Sequence, residues 1–206
     1  MIIAVDGPAA SGKGTISKAL ARHYGLPHLD TGLLYRAVAA TIARLELDPS
    51  IEADGVAACG FEDSLLDDPI LRTDEIGQMA SIVSAHPLVR AALMQRQKRF
   101  AQQPGGAVLD GRDIGTVIAP DADAKLFVKA TPQIRARRRH SELKAKGSTL
   151  SLDKVLADIR KRDERDSSRS SAPLVMAPDA VLIDTSFLSI EASVERAIAA
   201  VEANRR

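Results

Sequence analysis

The sequence predicts an α/β fold in which a parallel sheet is flanked by helices. Short apolar runs, typical of buried strands, alternate along the chain with longer segments whose apolar residues recur at helical spacing. A glycine-rich loop lies between the first apolar run and the first helical segment. Three later apolar runs end in an aspartate, and the carboxyl ends of parallel strands are where such folds bind their ligands.

The individual elements follow from these patterns and from the Pro and Gly residues that interrupt them. Strands are expected at 2–6, 27–30, 107–109, 124–128 and 181–184. Helices are expected at 16–23, 33–47, 75–84, 88–102, 132–146, 152–166 and 190–204. Pro49, Pro104 and Gly147 each follow a helix and end it. Residues 49–74 show no clear period and stay unassigned.

Composition limits the classes of function. Apolar residues make up 45% of the 206 residues, which is enough for a packed core, whereas aromatic residues make up 3% and Trp is absent. Scarce aromatic rings and a net charge of only +1 disfavour a nucleic-acid surface. Cys59 is the single cysteine and Asp6 interrupts the apolar N-terminus, so we expect no disulfides, no signal peptide and no membrane partner. A cytoplasmic protein fits these features.

Residues 7–15 form a phosphate-binding pattern. They read Gly7, Pro8, Ala9, Ala10, Ser11, Gly12, Lys13, Gly14 and Thr15. The glycines let backbone N–H groups turn inward, the next helix adds partial positive charge, and Lys13 can reach the β- and γ-phosphates. A turn rich in small residues is the alternative, but strand, spacing, Lys and helix all favour a P-loop. Its hydroxyl arrives at Thr15, one residue late, a shift that resembles the nucleoside-monophosphate kinases.

The turn after the third apolar run carries further candidate residues. A strand that ends in Asp near a P-loop is the expected place for a carboxylate that orients Mg²⁺ through water, which indicates Asp110, with Thr15 as a second metal candidate. A turn stabilised by Asp side chains is the alternative for Asp110. Arg112 and Asp113 follow side by side and are suited to an anion and an amino group respectively. Their opposite charges indicate a ligand that carries both.

Two basic segments allow two interpretations each. If the helix expected at 152–166 continues, the residues that share one face at i, i+3, i+4 and i+7 are Arg162, Arg165, Asp166 and Arg169. A ligand-binding face and a solvated, salt-bridged helix both fit this pattern. The same two interpretations apply to the basic run Arg135, Arg137, Arg138 and Arg139. A nucleic-acid-binding role has less support than either interpretation, because acidic residues interleave with the basic ones near residue 165.

Together these segments resemble the bacterial cytidylate kinases nearly from end to end. The strings that carry the resemblance are GPAASGKGT, LDTGLLYR, LRTDEI, HPLVRAAL, LDGRDIGTVIAP and RDERDSSRSSAPL. The combination of DGRD-x-GT with the RD-x-RD-x-x-R-x-x-APL pattern is the most specific part. One departure concerns residues 49–74, which lack the β-rich hairpin that longer members of the family place there.

The resemblance implies a role for each matching position. The residues around the acceptor phosphate would be Thr31, Arg36, Arg112 and Arg169. Those that hold the cytosine would be Ser81, Arg90 and Asp113, and those that hold the sugar would be Arg162 and Asp166. Tyr35 would belong to the same substrate site. The residues expected to act in catalysis are Lys13, Arg112, Arg162, Arg165 and Arg169.

The implied reaction is phosphorylation of CMP or dCMP by ATP with Mg²⁺. A nucleoside monophosphate is largely dianionic at pH 7 and is already a nucleophile, so no general base is required. The four His residues are therefore interpreted as structural or surface groups. Another small-molecule P-loop kinase, such as an adenylate-type kinase, is the alternative among enzymes. A GTP-dependent switch should carry an Asn-Lys-x-Asp motif, which the sequence lacks.

The expected organisation is one P-loop kinase domain with three parts, acting as a monomer. The core is expected at 1–35, 104–131 and 170–206. An acceptor-binding lobe is expected at about 36–103 and a helical lid at about 132–169, with Gly147 between the helices of the lid.

Overall fold

The computed structural model describes residues 1–204 as an alternation of strands and helices. The strands are β1 (Ile2–Asp6), β2 (His28–Asp30), β3 (Ala107–Gly111), β4 (Ala124–Lys129) and β5 (Val181–Asp184). The helices are α1 (Lys13–Tyr24), α2 (Thr31–Arg44), α3 (Glu52–Ala57), α4 (Asp74–Val83), α5 (Pro87–Ala101), α6 (Pro132–Ala145), α7 (Leu152–Ser168) and α8 (Ile190–Asn204). Shorter turns are the 3₁₀ segments Asp63–Asp67 and Pro69–Arg72 and the π-helical segment Ile114–Ile118.

The strands form one parallel sheet in the order β2-β3-β1-β4-β5. In the register of β1 with β3, Val5 lies opposite Asp110 and Asp6 lies opposite Gly111. On the other side of β3, Asp30 of β2 also lies opposite Asp110. The loop after β1, the turn after β3 and the start of α2 therefore meet at the carboxyl edge of the sheet, where parallel sheets bind ligands.

The buried apolar residues form separate clusters. One lies between the sheet and helices α1 and α8, and includes Ile3, Leu20, Leu126, Ile183 and Val201. A second surrounds α2 and is closed by α4 and α5, with Leu34, Val38, Ile76, Val83 and Leu93. A third covers the end of β3 with Leu109, Ile114 and Ile118. A fourth joins α6 to α7 through Ala136, Leu143, Val155 and Ile159. Leu29 packs against both the second and the third cluster.

The predicted α/β fold and its five strands are confirmed. Helix α2 begins at Thr31, two residues earlier than expected, because the Asp30 carboxylate caps it by accepting from the Gly32 N–H at 2.9 Å. The unassigned segment 49–74 contains α3 and the two 3₁₀ turns, with no strand described there. Within residues 1–204, no helix is both long and apolar enough to span a membrane.

The end of α7 differs from the expectation. The helix continues to Ser168 and carries Arg162, Arg165 and Asp166, but Arg169 has extended backbone with φ −62° and ψ 142°. The chain turns back there, and the Leu174 N–H donates to the Asp166 carbonyl at 2.7 Å. The prediction that Arg169 occupies position i+7 of the same helix face is therefore wrong.

Candidate active site

The P-loop joins β1 to α1 through a backbone that requires glycine at two positions. A Cβ at Gly7 (φ 155°) would lie 2.0 Å from the Val128 carbonyl oxygen of β4, so no side chain fits there. Gly12 has φ 93°, in the left-handed region that favours glycine. Helix α1 begins at the next residue, Lys13, so its unpaired N-terminal N–H groups border the loop. This arrangement is suited to a phosphate chain.

Arg135, the first arginine of the basic run, joins the P-loop to α7 by hydrogen bonds. Arg135 is buried, and its Nη1 donates to the Ala9 carbonyl at 3.2 Å. The same guanidinium forms two hydrogen bonds with the Asp163 carboxylate of α7, at 2.9 and 2.5 Å. The solvated interpretation is therefore wrong for Arg135, whereas Arg137 is exposed as that interpretation predicts.

The Ser11 carbonyl of the P-loop is held by side chains of α6 and of the turn after β5. Arg138 Nη1 donates to the Ser11 carbonyl at 3.3 Å, and Nη2 donates to the Thr185 carbonyl at 2.7 Å. The Thr185 hydroxyl donates to the same Ser11 carbonyl at 2.8 Å. The Ala9 and Ser11 carbonyls of the P-loop are thus held by donors from α6 and from the turn after β5, which fixes the loop backbone.

A cavity of about 590 Å³ opens beside the P-loop, between α6 and the start of α8. This volume lies in the usual range for small-molecule sites. Lining residues on the loop side include Lys13 and Thr15, those on α6 include Arg138 and Glu142, and those near α8 include Leu188 and Ile190. The polar loop end suits a phosphate chain, and the apolar side near α8 suits a flat base.

Lys13 faces two carboxylates at the carboxyl edge of the sheet. Its Nζ lies 4.0 Å from Asp110 Oδ2. Burial lowers the pKa of Lys13 to about 8, and the positive charge of Arg112 acts in the same direction. Burial, and then the charge of Asp110, raise the pKa of Asp30. Repulsion between two buried carboxylates is relieved by a cation placed between them.

The carboxylates of Asp110 and Asp30 fit a Mg²⁺ ion that retains several of its water ligands. Oxygen ligands are those that Mg²⁺ prefers, and it is usually held by one or two carboxylates together with substrate phosphates. Residues 1–204 contain no group of three or more His, Cys, Asp or Glu side chains arranged as a complete metal site. Asp110 and Asp30 are thus suited to bind the ion through water. Thr15 is exposed on the first turn of α1 and lines the donor cavity.

His28 lies beside Asp110 and Lys13, although the sequence predicts that all four His residues are structural or surface groups. Its Nε2 lies 2.7 Å from Asp110 Oδ1, so the two carboxylate oxygens of Asp110 face His28 and Lys13 separately. His28 lies on β2, the strand next to β3. The signal that could have found it is the spacing His-x-Asp at the end of a strand, read together with the sheet order.

Opposite charges are paired in the predicted acceptor region. Arg112 Nε donates to Asp166 Oδ2 at 2.8 Å, and Arg90 Nη2 donates to Asp113 Oδ2 at 2.5 Å. All four side chains are largely buried. Burial acts to raise the pKa of Asp166, but the nearby charges of Arg112 and Arg162 hold it below its usual range. The region is therefore preassembled as ion pairs.

Arg36 and Thr31 lie on α2 and are oriented by backbone groups. Arg36 Nη1 donates to the Leu71 carbonyl at 2.6 Å and to the Thr73 carbonyl at 3.1 Å. Its guanidinium passes over Gly77 of α4, where an added Cβ would lie 2.8 Å from Nη2. The Thr31 hydroxyl donates to the Asp110 carbonyl at 2.8 Å.

Two buried donors in the same region have no partner. They are Arg162 Nε and Arg169 Nη2. Burial lowers the pKa of Arg162 to about 10, and the charge of Arg112 acts in the same direction. Arg90 stacks over the Tyr35 ring, with its guanidinium carbon 5.5 Å from the ring centroid. Buried polar groups normally have partners, so these donors indicate the place of an anionic, acceptor-rich ligand.

Helices α6 and α7 contact α4 across this region. Arg165 Nη1 donates to Ser81 Oγ at 2.5 Å, and Arg139 Nη2 donates to Asp74 Oδ1 at 2.9 Å. Arg165 is thus placed at the predicted base residue Ser81. The predicted acceptor residues are brought together between α2, α4, α7 and the turn after β3. Sequence reasoning gave no site role to Asp6, His28, Asp30 or Thr185, and it left Arg135 and Arg138 between two interpretations.

The family model for cytidylate kinase matches residues 3–203. The chain belongs to the cytidylate kinase family. It is 59% identical over 205 residues to the cytidylate kinase of Xanthobacter autotrophicus, covering 100% of this chain and 99% of that protein. It is 61% identical over 207 residues to the cytidylate kinase of Azorhizobium caulinodans, with 100% of both chains covered. The resemblance found in the sequence is confirmed.

A likeness to solved structures supports the fold. A gluconokinase from Sinorhizobium meliloti superimposes with a TM-score of 0.56 at 15% identity, covering 98% of this chain and 91% of that chain. An uncharacterised protein from Eubacterium ventriosum gives a TM-score of 0.56 at 15% identity, covering 98% of both chains. At such low identity, the likeness extends to the P-loop kinase architecture alone.

Proposed function

We propose that this member of the cytidylate kinase family transfers the γ-phosphoryl group of ATP to CMP or dCMP, releasing ADP and CDP or dCDP. The observation that carries the proposal is the register of β1 with β3. It sets the P-loop beside Asp110 and, two residues further, beside the turn of Arg112 and Asp113. A donor site and an acceptor site thus adjoin at one edge of the sheet, as transfer between two nucleotides requires.

The acceptor phosphate is proposed to lie among Thr31, Arg36, Arg112 and Arg169. Each of the three guanidiniums already donates to a protein oxygen, which fixes its plane. Arg169 Nη2 is buried without a partner and is available to a phosphate oxygen. Charge-assisted hydrogen bonds from arginine are among the strongest that a phosphate can accept.

The base is proposed to be read by Asp113, Arg90 and Ser81. Cytosine offers an amino group at N4 and acceptors at N3 and O2, so it can donate to the carboxylate and accept from the guanidinium. Uracil presents an oxygen at the same place, which a carboxylate repels. The Arg90–Asp113 pair at 2.5 Å holds both groups in one orientation.

The sugar is proposed to contact Arg162 and Asp166, one turn apart on α7. Asp166 also accepts from Arg112, so the sugar and phosphate contacts share one side chain. Arg165, which donates to Ser81, is proposed to close the lid over the base rather than to reach the donor phosphates. Tyr35 supports Arg90 through the stacking contact.

The transfer itself is proposed to depend on charge and position. Lys13 would follow the transferring group, while Arg112, Arg162 and Arg169 neutralise the oxygens of both nucleotides. Mg²⁺, held through water by Asp110 and Asp30, would neutralise the β- and γ-phosphates when bound. The acceptor phosphate has a second pKa of about 6 and is already a nucleophile, so no side chain need remove a proton.

The proposed organisation keeps a core at 1–35, 104–131 and 170–206, an acceptor-binding lobe at about 36–103 and a lid at about 132–169; residues 205 and 206 of the core lie outside the described residues. The lid would exclude water as it closes on the bound nucleotides. We further propose that the protein acts as a monomer in the cytoplasm on small-molecule substrates, without nucleic acid or membrane as partner.

A coupled ADP-release assay with ATP and Mg²⁺ tests the proposal. The acceptors to compare are CMP, dCMP, UMP, AMP and free cytidine. We expect CMP and dCMP to exceed UMP and AMP by at least about tenfold in kcat/KM, and cytidine to be a poor acceptor because it lacks the phosphate. A preference for AMP would assign an adenylate-type kinase instead. ADP release that is independent of every acceptor would contradict a monophosphate kinase.

A further inference from the structure

Asp6 is a buried carboxylate at the last position of β1, with 4% of its surface exposed. Its two oxygens accept from two consecutive backbone amides, Ile114 N–H and Gly115 N–H, each at 2.8 Å. Nothing in the proposed reaction uses this group. Its partners are amides of a turn more than 100 residues away, which makes it a long-range connection between two loops.

The contact of Asp6 lies next to the proposed acceptor site in the chain. Ile114 and Gly115 open the π-helical turn Ile114–Ile118, directly after Arg112 and Asp113. On the other side, Asp6 directly precedes Gly7, the first residue of the P-loop. One carboxylate therefore joins the entry of the P-loop to the turn that presents the predicted phosphate and base contacts.

The chemistry of the contact favours a charged carboxylate. Two amides are satisfied by two carboxylate oxygens, whereas an Asn side chain offers one oxygen and would set an N–H against the other amide. Burial raises the pKa of Asp6 to about 6, and the two amides act in the opposite direction. The neighbouring charges are Asp113, which raises this pKa, and Arg112, which lowers it. On β4, the stem of Lys125 lies next to Gly115.

We propose that Asp6 is a positioning residue for the acceptor nucleotide: by holding the Ile114 and Gly115 amides, it sets where Arg112 and Asp113 stand relative to the P-loop. The inference rests on the proposed function, since it assigns the turn to the acceptor. It does not make Asp6 a contact of either nucleotide.

The kinetic test compares Asp6→Asn with Thr185→Val, since each residue holds one loop of the site by buried hydrogen bonds. Asp6→Asn should raise KM for CMP about tenfold and leave KM for ATP within about twofold, because one buried hydrogen bond to the acceptor turn is lost. Thr185→Val loses the bond to the Ser11 carbonyl and should raise KM for ATP instead. An equal rise of both KM values in Asp6→Asn, or no rise in KM for CMP, would overturn the inference.

A second variant keeps Asp6 and moves the turn. Gly115→Ala would place a methyl group 3.2 Å from Lys125 Cδ, closer than such contacts normally come, and against Asp6 Oδ2 at 3.4 Å. It should also raise KM for CMP selectively, even if Asp6→Asn does not fold. A KM for CMP that is unchanged in folded Gly115→Ala would contradict the positioning role.

A measurement on the unmodified protein tests the contact without any turnover. The amide proton resonances of Ile114 and Gly115 should move together with a midpoint near pH 6 as Asp6 takes up a proton. In Asp6→Asn both resonances should shift and lose this pH dependence, because the two carboxylate acceptors are gone. Resonances that keep the same positions and the same pH response in the unmodified protein and in Asp6→Asn would overturn the inference. If the unmodified protein does not phosphorylate CMP, the proposed function fails, whereas this amide result still decides whether Asp6 holds the turn.

Discussion

The proposed donor and acceptor halves of the site are built from different groups. On the proposed donor side, a glycine-dependent backbone and one ammonium form the cradle, and Thr185 and Arg138 both donate to its Ser11 carbonyl. On the acceptor side, buried charged side chains face one another in pairs, such as Arg90 with Asp113. The donor half therefore depends on backbone shape, whereas the acceptor half depends on side-chain charges that are paired with one another beside buried donors without a partner.

This difference determines how the two halves should respond to substitution. Loss of one partner from a buried ion pair leaves an uncompensated buried charge, which lowers the free energy of unfolding by about 3–5 kcal/mol. Removal of Asp166 would therefore also disturb Arg112, which it holds at 2.8 Å. Substitutions on the acceptor side should be non-additive, while those on the donor side should act one at a time.

The largest effect is expected for Lys13→Ala. The ammonium is expected to act mainly on the transferring phosphoryl group, so its loss should lower kcat roughly a thousandfold. The melting temperature should not fall, because a buried ammonium is itself unfavourable. The coupled assay and thermal melting check this, with the exposed Lys144→Ala as the matched control. Normal turnover in folded Lys13→Ala would refute the donor role of the P-loop.

Arg36→Ala should give the next largest effect. Loss of one charge-assisted contact to the acceptor phosphate corresponds to about 1.5–3 kcal/mol, or roughly tenfold to 150-fold in KM for CMP. KM for ATP should change far less. Arg72→Ala, on the exposed turn that Arg36 contacts, is the control, and thermal melting reports the loss of the Leu71 and Thr73 contacts. If both Arg36→Ala and Arg169→Ala leave KM for CMP unchanged, the acceptor pocket lies elsewhere.

Base choice should depend on Asp113 to a smaller extent. Asp113→Asn keeps the shape and supplies an amide that can donate to O4 of uracil, so the CMP-to-UMP ratio of kcat/KM should fall by at least about tenfold. The measurement is kcat/KM for both nucleotides on the two proteins. A parallel loss for CMP and UMP would mean that Asp113 only holds Arg90 in place.

The contact between Arg139 of the lid and Asp74 of α4 should matter least. Both side chains are partly exposed, and such pairs contribute about 0–1 kcal/mol. Asp74→Ala should therefore raise KM for CMP by no more than about fivefold, and the rise should vanish at high salt. Lys154→Ala, which removes an exposed ion pair elsewhere on the lid, is the control. A rise beyond tenfold would place Asp74 in direct contact with a substrate.

The donor half could be predicted from the sequence because its signal is local. The P-loop, its flanking strand and its helix are adjacent in the chain, and Gly7 and Gly12 occupy the positions that their conformations require. All five strands were predicted for the same reason, since short apolar runs between helices have few other interpretations.

The acceptor half could be predicted only as a set of residues. Which arginine pairs with which aspartate depends on how α7 crosses the turn after β3, and no local pattern encodes that crossing. Asp6 and His28 were missed because their partners lie 108 and 82 residues away. Asp30 was missed as a site carboxylate because the cap of a helix leaves the same signature.

The separate apolar clusters bear on how the chain loses its structure. The cluster around α2, α4 and α5 meets the cluster at the end of β3 through Leu29, and its other members belong to the segment between residues 29 and 93. Such a cluster can unfold as a separate cooperative unit, at an opening free energy smaller than that of global unfolding. Amides of α4 and α5 should then exchange with deuterium as one set, sooner than those of β1 and β4. A single melting curve would merge these two events.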